Sequence, residues 1–497
     1  MSRPQENRGL TATAEPVIGE KDQRVQIESI VEGASLRRTT HDSARQHRHL
    51  IAAAFVLACV AISSLFAGPA YATTEQNIDA NTAPIVEEHP LFVSVQGRQF
   101  LTPEGMPMLL KGINLANWLL PEGYMFEFES ATSPKQIQAV IEQLVGEREA
   151  RKFWKTYQDA YITRDDLAYI KSLGFNSVRV PLHYKLFVSE RDPVLLEGPG
   201  YALLDRLVRW SEEIGVYVIL DMHAAPGGQT GDNIDDSWGQ PNLFHSSEDQ
   251  DLLIRLWQKL ASRYKDEHIV AGYDLLNEPI AHFYDAGFYN PMLEPLYRRI
   301  VSAIREVDQN HIIFLSGAQW GSNFDVFGAP FDDKLAYTFH KYWTEADQSV
   351  IQDYVNFSTI HDVPLWMGES GENTDDWVTS MRQLLEDNDI SWSFWPYKKM
   401  GSSSGVVSIP KTKEWDAIIA FANRPRASLA EIRKHRPAQD IITTALGDFL
   451  NNVRLENCQL NQGYVVALGM ELPETAPSVA EANATLAAKN TAEAKQN

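Results

Sequence analysis

Two glutamates in this chain close apolar runs. Ala271-Gly-Tyr-Asp-Leu-Leu-Asn-Glu-Pro279 ends in Asn277, Glu278 and Pro279, and Val363-Pro-Leu-Trp-Met-Gly-Glu-Ser370 carries Glu369 near its end. Each reads as a buried strand delivering a carboxylate to its C-terminal rim, the first one stopped by proline. Two carboxylates facing each other suit the cleavage of a glycosidic bond. One protonates the leaving oxygen and the other attacks the anomeric carbon, and a retaining site holds them about 5–5.5 Å apart. In that chemistry Asn277 is placed to bind a sugar 2-hydroxyl. Glu278 has to be protonated at working pH, which calls for a raised pKa.

Something must hold the two carboxylates in register. From about Leu91, where a small hairpin turns at Gln96-Gly97, apolar runs alternate with helical patterns, the mark of βα units and a parallel sheet. Eight candidate strands follow: 108–114, 177–181, 216–222, 272–276, 312–315, 335–339, 365–368 and 390–394. Apolar residues recur at three- and four-residue steps in 203–213, 251–264, 293–307 and 377–385, which predicts helices there. The expected fold is α/β, a single (β/α)₈ TIM barrel with an N-terminal hairpin, a long first βα insertion and a C-terminal helical extension. A doubly wound open sheet is the alternative, but no G-x-G-x-x-G opens the first βα turn. Polar groups at the C-terminal strand ends of a barrel build its active site. Those ends supply Asn114, Arg179, His223, Asn277 with Glu278, His340 with Tyr342, Glu369 and Trp395. Arg179 and Tyr342 are expected to keep Glu369 ionised, since a nearby cation and a hydrogen bond favour the carboxylate.

Together these residues resemble glycoside hydrolase family 5, a retaining (β/α)₈ family of clan A. The matching motifs are Arg179 in Val-Arg-Val-Pro, His223 in Leu-Asp-Met-His, Asn277-Glu278-Pro279, His340 and Tyr342, Glu369 in Gly-Glu, and Trp395, in the family's order. The resemblance implies that Glu278 is the acid/base and Glu369 the nucleophile. It also implies that Arg179, His223, Asn277, His340, Tyr342 and Trp395 hold substrate or tune the carboxylates. Asn114 and Trp118 are counted with the substrate-binding residues. Gly112-Ile-Asn-Leu-Ala-Asn-Trp-Leu119 looks closest to the exo-β-1,3-glucanase branch, although Ala116-Asn117 stands where that branch usually has Gly-Gly. The implied activity is a retaining endo- or exo-acting hydrolase of a β-glucan, β-1,3 or β-1,4.

Two insertions bear on specificity. The loop 224–241 is rich in Gly and Pro, and its Asp235, Asp236 and Trp238 suit hydroxyl binding and stacking on a sugar. Its acidic run also suggests calcium, but lacks the EF-hand spacing and the terminal Glu. His223 and His340 have no third ligand at a familiar spacing, so zinc is not expected. Residues 115–162 are far longer than an ordinary βα loop and hold a predicted helix over 134–157 that could wall off one end of a cleft.

With 66 acidic against 44 basic residues the net charge is −22, which disfavours nucleic acid as a partner. The expected partner is a β-linked oligo- or polysaccharide. No cofactor and no metal are expected, and the protein is expected to be a monomer. Of two cysteines, Cys59 falls in an N-terminal apolar segment and only Cys458 in the folded part, so no disulfide framework forms there. Residues 1–48 read as disordered. Residues 49–72 read as a signal peptide, or an uncleaved anchor through 50–66, because a basic flank, an uncharged run and Ala70-Tyr71-Ala72 follow in order. Residues 73–89 read as a linker, 90–425 as the hydrolase domain, 426–470 as a helical extension packed on the barrel and 471–497 as a disordered tail. The folded part is therefore expected to be exported.

Three other functions compete. A non-catalytic carbohydrate-binding envelope protein would use the same scaffold, and a β-glucosidase acting on glycolipids or small glycosides would use the same carboxylates. A serine hydrolase at Gly368-Glu-Ser370-Gly371 lacks the glycine required two positions after the serine, where Glu372 stands.

Overall fold

The computed structural model describes residues 92–472. The readings of the N-terminal region, the signal or anchor, the linker and nearly all of the tail lie outside the described residues. Among the described residues no helix is long and apolar enough to cross a membrane.

Eight strands close into a barrel: β1 Lys111–Asn114, β2 Ser177–His183, β3 Tyr217–Ala224, β4 Val270–Asp274, β5 Ile312–Ser316, β6 Leu335–Lys341, β7 Leu365–Ser370 and β8 Ser391–Phe394. Every strand pairs in parallel with its neighbours in sequence, and β8 closes onto β1. The strands are buried almost end to end, as a parallel sheet sheathed in helices must be, and this is why they read as apolar runs.

The helices are α1 Pro134–Val145, α2 Glu147–Tyr161, α3 Arg164–Ser172, α4 Gly200–Ile214, α5 Ser247–Tyr264, α6 Ala286–Arg305, α7 Gln352–His361, α8 Asp375–Asp387 and α9 Lys413–Ala422. Between β5 and β6 stands only the single turn Ala318–Gly321, broken by left-handed Gln319 and Trp320. The fifth βα unit therefore lacks a full helix.

Several expected boundaries move. The N-terminal hairpin is a three-stranded sheet whose last strand, Pro107–Met108, was expected to begin β1. It caps the N-terminal mouth of the barrel. Val93, Phe100 and Leu110 pack with Ile219, Ala271, Ile312, Phe314, Ala336 and Trp366, and Phe100 stacks on Phe314 at 6.0 Å. The single helix expected over 134–157 is two, because Gly146 adopts φ +80° and ends one helix as it starts the next. Ser133 and Gln136 form a capping box on α1.

Past the barrel come α10 Leu429–His435, α11 Gln439–Asn452 and α12 Gln462–Ala467, with a short strand Gln459–Leu460 that pairs with Val407–Ile409. Phe449 of α11 stacks on Trp415 of α9 at 4.5 Å. Lys398 is sealed from solvent, and its Nζ bonds Asp166 Oδ1 and the carbonyls of Tyr161 and Val453. Tyr464 of α12 donates its hydroxyl to the carbonyl of Trp395, so the extension reaches the barrel's C-terminal rim.

Candidate active site

A cavity of about 570 Å³ opens at the C-terminal rim, lined among others by His223, Glu278, His340, Tyr342, Glu369 and Trp395. One Glu278 oxygen, one Glu369 oxygen and a ring nitrogen of His340 all lie within 4.8 Å of one another. Glu278 follows β4 on a backbone of φ +42°, and Ile280 also has positive φ (+58°). Left-handed non-glycine residues cost about 1–3 kcal/mol each and need bracing. The loop after β3 supplies it. Thr230 Oγ1 donates to the Glu278 carbonyl, Gln229 Nε2 to the Asn277 carbonyl, and Ile280 and Ala281 donate their N–H groups to the Gln229 and Thr230 carbonyls.

Beneath the cavity Arg179 is sealed from solvent. Its Nε and Nη2 meet Asp274 Oδ2, and Nη2 also meets Asp221 and Asn277 Oδ1. Nη1 donates to Asn114 Oδ1 and to Glu369 Oε1. Burial opposes the guanidinium's charge, but Asp221, Asp274 and Glu369 outweigh it and raise its pKa. Three carboxylates face one cation here. Burial raises both Asp221 and Asp274 above the carboxylate range, against the pull of Arg179. The other Glu369 oxygen accepts from the Tyr342 hydroxyl at 3.2 Å.

Glu278 lies in a different environment. Burial raises it to about 7, against the pull of His223 and Arg179. His340 Nδ1 lies 2.8 Å from Glu278 Oε1 and 3.8 Å from Glu369 Oε2. Burial lowers His340 to about 3 and His223 to about 4, so both rings are neutral. The hydrogen bonds assign their tautomers. His223 Nδ1–H donates to Asp221 Oδ2 at 2.7 Å, leaving Nε2 to accept from Asn277 Nδ2. A proton on His340 Nδ1 leaves its buried Nε2, which has no partner, as a bare acceptor.

The twelve residues expected at the site separate into three sets. His223, Glu278, His340, Tyr342, Glu369 and Trp395 line the cavity. Asn114, Arg179 and Asn277 are buried as the layer beneath it, and Asn114 Nδ2 is taken up by the carbonyls of Gly368, Ser393 and Phe394. Trp118, Asp235 and Trp238 are elsewhere. Trp118 is buried with its Nε1 on the Gln158 carbonyl. Asp235 is 2% exposed and accepts from the backbone N–H of Thr230, Gly231 and Ser237. Trp238 is 85% exposed, with Lys135 Nζ over its ring. None of the three lines this cavity, and Trp118 and Asp235 are buried away from it. Asp235 instead braces the Thr230 that holds Glu278. Asp236 is engaged by His183 and Lys185.

Sequence reasoning missed other residues. Asp221 lies two before His223, so the strand pleat turns both the same way, and that signal was available. Asp274 had no such marker. Glu122 and Tyr124, from the insertion after β1, line the cavity with Glu372. Glu372 pairs with Lys399 at 2.6 Å, and Trp395 Nε1 donates to the Tyr124 hydroxyl. Glu122 is 5% exposed and its Oε1 has no partner. Burial first, then Glu369, Glu372 and Glu278, raise its pKa well above the carboxylate range.

Comparison with known proteins agrees with this arrangement. Residues 138–401, more than half of the chain, match the family model described as cellulase (glycosyl hydrolase family 5). A β-xylosidase of Phanerodontia chrysosporium is 28% identical over 386 residues, covering 70% of this chain and 78% of that protein. A probable glucan 1,3-β-glucosidase A of Aspergillus fumigatus is 26% identical over 211 residues, 42% of this chain and 50% of its own, so the chain spans about half the length of that relative. The crystal structure of an endogalactoceramidase shares the fold at 17% identity and a TM-score of 0.51, covering 76% of this chain and 84% of that one.

Proposed function

The chain belongs to glycosyl hydrolase family 5, and from that membership and the geometry of its cavity we propose that it is a retaining hydrolase of β-glucans, with Glu278 as acid/base and Glu369 as nucleophile. It is a glycoside hydrolase. The observation that carries the mechanism is the approach of Glu278 and Glu369 to within 4.8 Å, near the separation of a retaining pair and too close to admit the water an inverting pair needs.

The environments divide the roles. Burial keeps Glu278 protonated up to about pH 7, while Glu369 receives Arg179 on one oxygen and Tyr342 on the other. Glu369 attacks the anomeric carbon as the glycosidic C–O bond breaks and Glu278 gives its proton to the leaving oxygen. A glycosyl ester on Glu369 results. Glu278, now a carboxylate, takes a proton from water; that oxygen attacks the same carbon, and Glu369 leaves as a carboxylate. Asn277 keeps one Nδ2–H beyond its contact with His223, a candidate donor to the 2-hydroxyl.

We place the glycone at the end where Glu122, Tyr124 and Glu372 line the cavity, since their polar side chains suit sugar hydroxyls. The relatives are named for β-xylosides and for 1,3-β-glucans, both β-linked. The uncharged run Leu50–Phe66 and Ala70-Tyr71-Ala72 support export of the folded part. A hydrolysis screen on laminarin, carboxymethylcellulose, mannan and aryl β-glucosides, with product stereochemistry followed by NMR, tests the proposal. Hydrolysis of a β-glucan with retention is the expected result. Inversion, or full activity in Glu369→Gln, would overturn it.

A further inference from the structure

We propose that a groove between the inserted helices α1 and α2 and the barrel helix α4 is a second ligand site, separate from the catalytic cavity, and that it takes a sugar carboxylate, the uronic acid unit of an acidic oligosaccharide. The proposal does not rest on the hydrolytic reading. The groove has a volume of about 740 Å³ and shares no lining residue with the catalytic cavity. That volume falls in the range of roughly 300–1,000 Å³ typical of ligand sites. Trp118 and Asp236 belong to its wall. Two residues with sugar-binding chemistry that stand apart from the catalytic cavity therefore gather here.

Charge sets the groove apart. Five cationic side chains line it against three carboxylates, in a chain whose net charge is −22. Such a local excess of positive charge favours an anion. Some of these cations are already paired: Lys185 with Asp236, and Lys155 and Arg206 Nη1 with Asp159. The other edge of Arg206 is not. Its Nε and Nη2 are buried with no acceptor, and Trp154 Nε1, on the same wall, is a third donor in that state. An unpaired buried donor costs about 1–3 kcal/mol until an acceptor completes it. The Arg206 side chain as a whole is 26% exposed, so it can turn to present that edge to the groove.

Donors without acceptors call for a ligand group that only accepts, and an ionised carboxylate is such a group. The Nε and Nη2 edge of a guanidinium takes both of its oxygens at once. Recognition of hydroxyls is present on the same wall. The Gln158 side-chain amide makes no hydrogen bond among the described residues, and an amide that donates and accepts suits ring hydroxyls. The partly buried Trp154 ring offers a sugar an apolar face. An inorganic anion would engage the donors and leave the amide and the ring idle, which favours a sugar carboxylate.

The test follows the indole N–H signals of the full chain, labelled with nitrogen-15 at tryptophan, the Trp154 signal being identified by its loss in Trp154→Phe. Digalacturonate, glucuronate, glucose and sulfate are the probes. Digalacturonate should shift the Trp154 signal with half-saturation at or below about 1 mM, glucuronate should shift it more weakly, and glucose should not shift it. Arg206→Gln should weaken digalacturonate binding by about tenfold or more. Arg206→Lys keeps the charge without the fork and should weaken it comparably, with the melting temperature and the hydrolysis of an aryl β-glucoside unchanged. No shift with either uronate, an equal shift with glucose, or full affinity in Arg206→Lys overturns the proposal. Sulfate binding as tightly as digalacturonate makes the groove an anion site only, and overturns the assignment to a sugar.

Discussion

Arg179 and Glu369 are joined inside the barrel, the guanidinium Nη1 donating to Glu369 Oε1 while the rest of the fork is taken by Asp221, Asp274, Asn114 and Asn277. Below, Trp366 lies 5.9 Å under the guanidinium and Phe314 lies 4.8 Å from Trp366. Glu369 is thus braced by a column that starts at the capped mouth. Lysine cannot reproduce a planar five-donor fork. We predict that Arg179→Lys retains the fold but lowers kcat by about 100-fold or more, the loss of one preorganised donor at a reacting centre. Steady-state kinetics on an aryl β-glucoside checks this against a circular dichroism control.

On the proposed mechanism the alkaline limb of the pH profile belongs to Glu278. Because its proton is needed and its pKa is about 7, kcat/KM should fall about tenfold per pH unit above that value. Glu278→Gln should abolish the limb along with most activity on poor leaving groups.

The same shift affects stability. Burial makes the folded protein hold a proton that the unfolded chain has released above its ordinary pKa of 4.5. Native binding exceeds unfolded binding across that window, so stability is lost as pH rises from about 4.5 to about 7. Glu278→Gln should therefore stabilise at pH 8, by on the order of 3 kcal/mol, and scarcely at pH 4. Urea unfolding at both pH values measures the difference.

Glu122 gives a second opposition of stability and activity. A buried carboxylate oxygen without a partner destabilises the free protein. Glu122→Gln should raise the unfolding midpoint while lowering kcat/KM on glucosides about tenfold. A role in packing alone would lower both.

Asp235 and Trp238 should behave oppositely to a sugar-contact reading. Asp235→Ala orphans three backbone donors and loosens the loop holding Glu278; a loss of about 1–3 kcal/mol is expected, with kcat falling more than KM rises. Trp238→Ala should leave kinetics unchanged on every substrate in the screen.

The barrel was legible because its strands are buried on both faces and announce themselves as apolar runs. The site was legible because polar residues at strand ends stand out against those runs. What did not show is whatever depends on where a side chain turns once it leaves a strand. Trp118 and Asp235 have the right chemistry for a sugar, yet one is packed away and the other caps its own loop. Glu122 lies in an insertion with no periodicity to place it. Gly146 splits a run whose apolar pattern continues across it, because a pattern of side chains does not report a backbone φ of +80°. Asp274 sits three residues before Asn277-Glu278-Pro279, but its partner Arg179 is 95 residues away.

The Tyr464 hydroxyl on the Trp395 carbonyl ties the order of synthesis to the completion of the cavity wall. A ribosome releases Glu278 and Glu369 long before Tyr464. Until α12 emerges and docks, the aromatic wall at Trp395 lacks its outer support, and a nascent chain carrying both carboxylates still has an unfinished cavity. The wall of the cavity is therefore complete only once α12 has docked.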